Sequence, residues 1–352
     1  MIRNRFVALA VAAATALGLA ACSGGGAATT SSSGAEGSGA TAPELKLGYF
    51  ANITHAPAIV GVQDGTFEKA LGGTKLTTSV FNAGPAATEA LLSGAVDATF
   101  IGPGPTTNAY VQSKAITVIA GTAANGAALV VKPGITTAAQ LKGKKLSTPQ
   151  LANTQDIALR YWLKQQGLTT TATGGGDVSI LPQSNGDTVN AFKQGEIDGA
   201  WVPEPFATQL VNAGGEVLVD ERDLWPDKRF VTTNLIVSTK FLDQYPGTVS
   251  ALLQGLITAE GEVNDDAAAA RTTVNAAIGR ITGTPLDEDV LEAAWKNVEF
   301  TVDPIASSLK TGATHAKDVG LLTGDVDLTG LYDLDPLNAL LKADGKAEVS
   351  AG

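Results

Sequence analysis

The chain has 352 residues, of which 44% are hydrophobic and 17% charged. This content is sufficient for a sizeable core in one large or two medium domains. The formal net charge of -11 disfavours nucleic acid and polyanionic surfaces as partners, although local donors can still bind a small anion. Because the chain has one cysteine, no disulfide can form within a single copy.

The first 21 residues have the layout of a secretory signal peptide. Two basic residues, Arg3 and Arg5, precede the apolar run 6–19, and small residues follow it. The run is too short and too rich in alanine to favour a permanent membrane span. Cys22 then stands where a bacterial lipobox carries its acylated cysteine, so we expect residues 1–21 to be a lipoprotein signal peptide and Cys22 to be lipidated.

Residues 22–43 are dominated by Ser, Gly, Thr and Ala. Such a composition is typical of a flexible tether. We therefore expect an extracytoplasmic domain that the lipid on Cys22 anchors to the cell membrane. No later apolar stretch approaches the length of a membrane span.

Beyond the tether, strand and helix patterns alternate, which predicts an α/β fold with a largely parallel sheet. The first strand pattern, 45–50, leads through a polar turn into a helix that begins near Pro57. A strand that passes into a helix N-terminus presents free N–H groups and the positive end of a dipole at a cleft edge. The turn, which holds Asn52, Thr54 and His55, is therefore predicted to accept an anion.

The later elements follow the same alternation. A second unit begins near residue 141, where the polar loop 150–156 again leads into a helix. Residues 121–126 are interpreted as a loop between two strands. The predicted strands are 76–81, 98–101, 116–120, 128–131 and 230–238, and the predicted helices are 85–92, 106–112, 157–166 and 290–297, with two more near Pro304 and Pro336.

One pattern occurs twice. Gly94 and Asp97, between a helix and a strand, recur as Gly195 and Asp198 with apolar positions in phase. This offset is far too long for a solenoid period and indicates two related lobes. The alternative, that helix-Gly-x-x-Asp-strand is a common turn between any helix and strand, stays open here.

These residues resemble the substrate-binding proteins of sulfonate, nitrate and taurine ABC importers, which are related to the thiamine-pyrimidine binders. The resemblance covers about residues 45–220 well and the C-terminal helices loosely. It is carried by Gly48-Tyr49-Phe50, His55-Ala56-Pro57, Asp64-Gly65 with Phe67, Leu92-Ser93-Gly94 with Asp97, Leu141-Lys142-Gly143-Lys144-Lys145, Gly195 with Asp198-Gly199-Ala200-Trp201, and Glu204-Pro205.

The resemblance implies a two-lobe periplasmic-binding-protein-like (type II) fold with a hinge and a central cleft. Lobe 1 would then comprise residues 44–125 and 235–352, and lobe 2 residues 126–234. It also implies lobes that close over a small-molecule solute, with ABC permease and ATPase subunits as partners. We expect a monomer, and a sensor rather than a transporter as the recipient is an alternative that the sequence leaves open.

No catalytic or metal site is expected. His55 and His315 are the only histidines, are far apart in the sequence, and lack cysteines or paired carboxylates at metal-ligand spacing. His315 lies in a helical pattern and is interpreted as structural. Pyrimidine-synthase relatives of the family are enzymes, but they carry a cysteine-rich segment that this chain lacks. We therefore expect a protein without enzymatic activity or cofactor.

The candidate ligand-binding residues lie in the predicted cleft loops and at strand ends. Neutral donors and helix N-termini suit an oxyanion, so we expect an organosulfonate, either an aliphatic sulfonate or taurine. Nitrate, bicarbonate or a thiamine pyrimidine are alternatives. The candidates are Asn52, Thr54, His55, Gly102, Pro103, Thr122, Asn125, Gln150, Asn153, Thr154, Gln155, Trp201 and Glu204.

Two of these residues have alternative roles. Glu204 would pair with the amine of a zwitterion such as taurine, or it would point away from the ligand and hold the turn Pro203-Glu204-Pro205. Trp201 would stack on a ligand or fill the core.

Overall fold

The computed structural model describes residues 39–352, so the predicted signal peptide, Cys22 and most of the predicted tether lie outside the described residues. The end of the predicted tether belongs to the folded body. Ala42 is 4% exposed, and its N–H donates to Thr248 Oγ1 at 2.7 Å. No helix in residues 39–352 is both long enough and apolar enough to cross a membrane.

The described residues alternate strands with helices, as the sequence predicts. The strands are β1 (Glu44–Phe50), β2 (Lys75–Phe81), β3 (Ala98–Ile101), β4 (Ile116–Asn125), β5 (Ala127–Val131), β6 (Lys145–Thr148), β7 (Ser179–Pro182), β8 (Gly199–Pro203), β9 (Glu216–Asp220), β10 (Val231–Ser238) and β11 (Val298–Phe300). The helices are α1 (Ala56–Gln63), α2 (Thr66–Leu71), α3 (Gly84–Leu92), α4 (Pro103–Ser113), α5 (Thr154–Gln165), α6 (Asn185–Gln194), α7 (Phe206–Asn212), α8 (Thr239–Gln244), α9 (Pro246–Asp265), α10 (Ala267–Thr282), α11 (Glu288–Trp295), α12 (Ala306–Asp318) and α13 (Asp335–Ala343).

The strands form two sheets with the same internal order. The first sheet runs β11-β4-β10-β3-β1-β2 and the second runs β7-β6-β8-β5-β9. In each sheet three parallel strands, β2-β1-β3 or β7-β6-β8, are followed by one antiparallel strand that arrives from the other lobe, β10 or β5. The type II two-lobe fold expected from the sequence is therefore confirmed.

The repeated sequence pattern has the same geometry in both lobes. Gly94 and Gly195 both have φ of 78°, a left-handed conformation that ends the preceding helix and favours glycine. Asp97 then accepts the N–H of Lys46, and Asp198 accepts the N–H of Lys145, both at 2.9 Å. Asp97 thus joins the start of β3 to β1, and Asp198 joins the start of β8 to β6. This shared device, together with the shared strand order, supports two related lobes over a chance turn.

Two crossings join the lobes. β4 passes into β5 at Gly126, and residues 221–230 lead from β9 into β10. Asn125 and Phe230 connect the crossings, since the Asn125 N–H donates to the Phe230 carbonyl at 2.9 Å and the Phe230 N–H donates to Asn125 Oδ1 at 3.3 Å. Because β10 pairs with β4 from Val231 onward, the second boundary lies a few residues before the predicted residue 235.

Helices cover both faces of each sheet. In the first lobe Phe67, Phe100 and Leu235 form part of the core beneath α1, α2 and α9, and each is fully buried. In the second lobe Trp201 and Val202 face opposite sides of the sheet and enter separate clusters. Burying one such large apolar side chain stabilises the fold by about 1.5–3 kcal/mol.

Candidate functional site

A small cavity lies where the carboxyl ends of the parallel strands of both lobes meet. Its volume is about 30 Å³. In open α/β sheets, ligands bind outside the carboxyl ends of the strands. Here all six parallel strands, β1, β2, β3, β6, β7 and β8, end beside the same cavity. This deep cavity is lined by Phe50, Asn52, Thr54, His55, Asn82, Gly102, Asn153, Thr154, Gln155, Asn185, Pro203 and Thr232.

The lining is polar and uncharged. Amide, hydroxyl and imidazole side chains supply hydrogen-bond donors, and no Lys, Arg, Asp or Glu is among the residues that line the deep cavity. Helices α3 and α5 begin beside it, and neither has a side-chain cap at its N-terminus. At the start of α4, by contrast, the N–H groups of Gly104 and Thr106 already donate to Thr154 Oγ1 and to the Gly102 carbonyl. Uncapped N–H groups and helix dipoles favour a negative ligand at this place.

His55 is held in a neutral form. It is 2% exposed, and burial lowers its pKa to about 3. Its Nδ1 accepts the N–H of Phe50 at 3.3 Å, and its ring stacks on the Phe50 ring with the centroids 4.5 Å apart. In a neutral imidazole one nitrogen accepts and the other carries the proton, so Nε2 is the donor of His55.

The two lobes touch at the helix N-termini. The Gly104 N–H of α4 donates to Thr154 Oγ1 of α5 at 3.2 Å. A Cβ on Gly104 would lie 3.0 Å from the backbone N of Thr154, so a larger residue would force the helices apart. The start of α4 in the first lobe and the start of α5 in the second are therefore in direct contact beside the deep cavity.

A buried ion pair holds the loop that carries Asn153. Asp156 and Arg160 lie one turn apart on α5, are 0% and 1% exposed, and are joined at 3.0 Å. The Asp156 carboxylate also accepts hydrogen bonds from the Thr148 hydroxyl and from the Ala152 N–H, each at 2.9 Å. The carboxylate thus ties the end of β6, the loop and the helix together.

A much larger cavity opens from the deep one. It has a volume of about 790 Å³ and shares Phe50, Asn52, Asn82 and Asn185 with the deep cavity. We call it the vestibule. It is bounded by Phe81, Ile281 and Val290 of the first lobe and by Asn190, Lys193 and Gln209 of the second.

The structure brings seven of the thirteen candidate residues to the deep cavity. They come from the turns after β1, β3 and β6, which the sequence identifies as strand-to-helix turns. The seven are Asn52, Thr54, His55, Gly102, Asn153, Thr154 and Gln155. Pro103, Thr122, Asn125, Gln150, Trp201 and Glu204 do not line it.

Thr122 and Asn125 belong to a strand rather than to a loop. β4 runs without a break through 121–125, whereas the sequence predicts a loop there. Thr122 is fully buried, and Asn125 lies at the first crossing with φ of 64°. A Cβ on Gly121 would lie 2.1 Å from the Asp303 carbonyl oxygen, so this glycine permits close packing of another segment and does not mark a turn.

Glu204 points away from the deep cavity. It accepts the Thr208 N–H and Oγ1 at 3.1 and 3.0 Å, and Asn297 Nδ2 of the first lobe at 2.7 Å. It lines a separate cavity of about 270 Å³ together with Asp220 and Arg222. Of the two roles considered for Glu204, this geometry matches the one in which it holds its own turn.

Trp201, Pro103 and Gln150 also lie elsewhere. Trp201 is 0% exposed, and its Nε1 donates to Glu221 at 2.7 Å within the second-lobe core. Pro103 begins α4 and lines another cavity of about 30 Å³ beside His315. Gln150 is half-buried, and its Oε1 has no partner within the described residues.

Five residues of the deep cavity are absent from the candidate set: Phe50, Asn82, Asn185, Pro203 and Thr232. Asn82 follows β2 and precedes α3, so the strand-to-helix argument applied to the first turn also identifies it. Asn185 begins α6 after β7, a four-residue strand that ends in proline and gives little sequence signal. In the described residues, no group of three or more His, Cys, Asp or Glu side chains is placed to hold a metal ion.

Comparison with known proteins agrees with this architecture. Residues 38–278 match the NMT1-like family. The taurine-binding periplasmic protein of Escherichia coli is 30% identical over 206 residues, which are 58% of this chain and 62% of that protein. The chain therefore matches less than two thirds of that relative's length.

Two solved structures share the fold. The alkanesulfonate-binding protein SsuA of Xanthomonas axonopodis pv. citri, bound to MOPS, superposes with a TM-score of 0.72 at 20% identity over 84% of this chain and 99% of that one. The periplasmic nitrate-binding protein NrtA of Synechocystis superposes with a TM-score of 0.72 at 19% identity, over 86% and 89% of the two chains.

Proposed function

This chain belongs to the NMT1-like family, and we propose that it is an extracytoplasmic, lipid-anchored solute-binding protein that delivers a small oxyanion to an ABC importer. One observation carries the proposal. The carboxyl ends of all six parallel strands, three from each lobe, converge on one uncharged cavity, beside which α3 and α5 begin without side-chain caps. Such a cavity can bind an anion between two lobes, and a permease and an ATPase would be the partners in transport.

An organosulfonate is the solute that we propose. A sulfonate stays ionised at physiological pH, and hydrogen bonds to a charged acceptor are roughly twice as strong as neutral ones. The names of the Escherichia coli and Xanthomonas relatives support this class. Because no carboxylate lines the deep cavity, a plain sulfonate fits it better than taurine, whose ammonium group would lack an acidic partner there.

Nitrate is the second candidate. The deep cavity is small, and the nitrate-binding protein of Synechocystis shares the fold. We propose no catalytic role for the chain, because His55 is neutral and packed against Phe50, and the His315 ring stacks on Tyr161 with centroids 3.5 Å apart. We propose that the protein acts as a monomer.

Replacing Asn185 by alanine tests the site. Asn185 lies at the start of α6, is 8% exposed, and its Oδ1 has no partner within the described residues. The free protein should therefore keep its stability. A hydrogen bond to a charged group contributes about 1.5–3 kcal/mol, so sulfonate affinity measured by calorimetry should fall roughly 10-fold to 100-fold.

The matched control is Asn190→Ala, since Asn190 lies on the same helix but lines only the vestibule. Its affinity for methanesulfonate should stay within about twofold of the wild type. Equal losses in both variants would place the anion outside the deep cavity. Absence of sulfonate binding by the wild type, with uptake of nitrate instead, would replace the proposed solute.

Membrane attachment is tested at Cys22. After cleavage behind Ala21 we expect the new N-terminal cysteine to carry lipid, because the lipobox places it directly after the apolar run. Cys22→Ala should release the protein from the membrane fraction or block its processing, and mass spectrometry of the wild type should detect the acyl chains. Membrane retention of a processed, unlipidated protein would contradict this.

A further inference from the structure

A second polar cavity lies beside the first crossing, separate from the anion site. Gly126 at the crossing, Glu204 of the second lobe and Asn297 of the first lobe are among the residues that line it, and we call it the crossing cavity. None of its lining residues lines the deep cavity. Its volume is about 270 Å³, just below the range of sites for drug-sized ligands, so it suits a smaller organic molecule.

The Glu204 carboxylate has one acceptor position left. A carboxylate can accept about four hydrogen bonds. Within residues 39–352, Glu204 Oε1 accepts Thr208 Oγ1 and Asn297 Nδ2, whereas Oε2 accepts the Thr208 N–H alone. Glu204 is 3% exposed, and burial raises its pKa, so its neighbours offset only part of the hydration that the charged form loses. A cation at Oε2 would supply the missing partner.

The other charged groups that line the crossing cavity are paired with each other. Arg222 Nε donates to both carboxylate oxygens of Asp220 at 3.1 Å, and in the described part of the chain Arg222 forms no ion pair with Glu204. The charges of Asp220 and Arg222 offset each other, so ionised Glu204 leaves the crossing cavity with a net negative charge. Asn297 donates to Glu204 through Nδ2, which leaves its Oδ1 as a second acceptor.

Much of the remaining lining is apolar. Ala127, Ala207 and Ala293 leave the crossing cavity open because their side chains are small. Val211 and Val217 also line it, and both are among the exposed large hydrophobic residues, Val217 with 53% of its surface open to solvent. A short hydrocarbon body that lies against these valines would remove apolar surface from water.

We propose that the crossing cavity binds a small organic cation, a primary ammonium group on a short hydrocarbon body. The ammonium group donates to Glu204 Oε2 and to Asn297 Oδ1, and the hydrocarbon covers Val211 and Val217. An ammonium group has three donors and no acceptor, which matches a buried carboxylate beside an amide oxygen. Because Glu204 belongs to the second lobe and Asn297 to the first, this ligand contacts both lobes without entering the anion site.

Calorimetry with hexylammonium and 1-hexanol tests the need for the charge. Hexylammonium should bind the wild type with a Kd of about 1 mM or tighter. It should bind at least about tenfold more tightly than 1-hexanol, because a hydrogen bond to a charged group is the stronger kind. Absence of saturable hexylammonium binding, or equal affinity for 1-hexanol, would overturn the proposal. Methanesulfonate binding is measured separately, so the proposed function does not depend on this result.

Two variants locate the cation. Glu204→Gln removes the charge and keeps an amide oxygen for the Thr208 N–H, and it should weaken hexylammonium binding about 10-fold to 100-fold. Ala293→Leu alters an exposed position of α11 and fills part of the crossing cavity, so it should weaken binding at least about tenfold. Both variants should bind methanesulfonate as the wild type does, which shows that they are folded. Unchanged hexylammonium affinity in both would overturn the proposal.

The control is Asp265→Asn, which removes a charge from a different acidic cavity. That cavity has a volume of about 590 Å³, belongs to the first lobe, and is lined by Asp265 together with four further carboxylates and one lysine. Hexylammonium affinity should stay within about twofold of the wild type, because a distant exposed charge is screened by salt. A loss in Asp265→Asn as large as that in Glu204→Gln would mean that the cation is bound by general acidity, and this too would overturn the proposal.

Discussion

Replacing Asp156 by alanine is expected to lower the free energy of unfolding by about 3–5 kcal/mol, because it leaves the fully buried Arg160 guanidinium without its charge partner. The change also removes the acceptor of Thr148 Oγ1 and of the Ala152 N–H. Urea unfolding of the wild type and of the Asp156→Ala variant measures the effect. Anion affinity should fall as well, since the loop released by the change carries Asn153 into the deep cavity.

The chain contains a matched control for this pair. Glu292 on α11 and Lys296, which directly follows that helix, have the same i, i+4 spacing and are joined at 2.7 Å, but their side chains are 52% and 70% exposed. Glu292→Ala should therefore change stability far less than Asp156→Ala does, because an ion pair exposed to solvent contributes little. A loss in Asp156→Ala as small as that in Glu292→Ala would contradict the role assigned to burial. The double variant Asp156→Leu with Arg160→Met should recover much of the loss, since no buried charge is then left unpaired.

The fold could be predicted because local and long-range signals agree. Strands with β-branched and apolar runs alternate with helices that begin at proline, and Pro57 and Pro336 lie in the first turns of α1 and α13 as predicted. The Gly94 and Gly195 pattern also corresponds to one physical device in both lobes, a left-handed helix end followed by an aspartate that caps a neighbouring strand. Such patterns depend on few residues close in sequence, so a single chain reveals them.

The prediction of a loop at 121–126 is wrong, and the reason lies in tertiary packing. Glycine, alanine, threonine and asparagine suggest a turn, but β4 continues through them because β10 and β11 pair with it on both sides. The need for Gly121 comes from the approach of Asp303, which is distant in sequence. No local pattern carries that information, and Thr122 and Asn125 were therefore expected at the ligand.

The part of the site that lies in the turns directly after strands could be predicted from the sequence. The turns after β1, β3 and β6 have clear signals, and they supply all seven candidate residues that line the deep cavity. At the end of β8 the sequence does not show which residues reach the cavity, because neighbouring side chains at a strand end point in different directions. Pro203 reaches the cavity, Glu204 turns to Thr208 and Asn297, and Trp201 lies two residues deeper in the core.

Lowering the pH from 7 to 4 is expected to destabilise the protein through His55. Burial lowers the pKa of His55 from 6.5 to about 3 in the folded state. The folded state binds fewer protons than the unfolded state between these two values, so the stability contribution is complete above pH 6.5 and is lost as the pH falls. Between pH 7 and pH 4 the loss amounts to about 3 kcal/mol.

Glu221 acts in the opposite direction. Burial raises its pKa from 4.5 to about 7, although the indole N–H groups of Trp201 and Trp225 partly offset this. The folded state then binds more protons than the unfolded state, so this contribution is complete below pH 4.5 and is lost as the pH rises through 7. Its size between pH 4 and pH 7 is also about 3 kcal/mol.

Because the two effects nearly cancel in the wild type, each is measured as the difference between the wild type and the variant that lacks that group. In His55→Asn the Oδ1 atom can take the Phe50 N–H that Nδ1 accepts, while the titration is lost. Its stability relative to the wild type, from urea unfolding at each pH, should improve by about 3 kcal/mol on going from pH 7 to pH 4. Glu221→Gln should deteriorate by a similar amount over the same range, since the remaining carboxylates are common to all variants and drop out of the difference. If the His55→Asn and wild-type curves run parallel, the folded state accepts a proton at His55 as readily as the unfolded chain does, and a neutral Nε2–H donor at the anion site has to be abandoned.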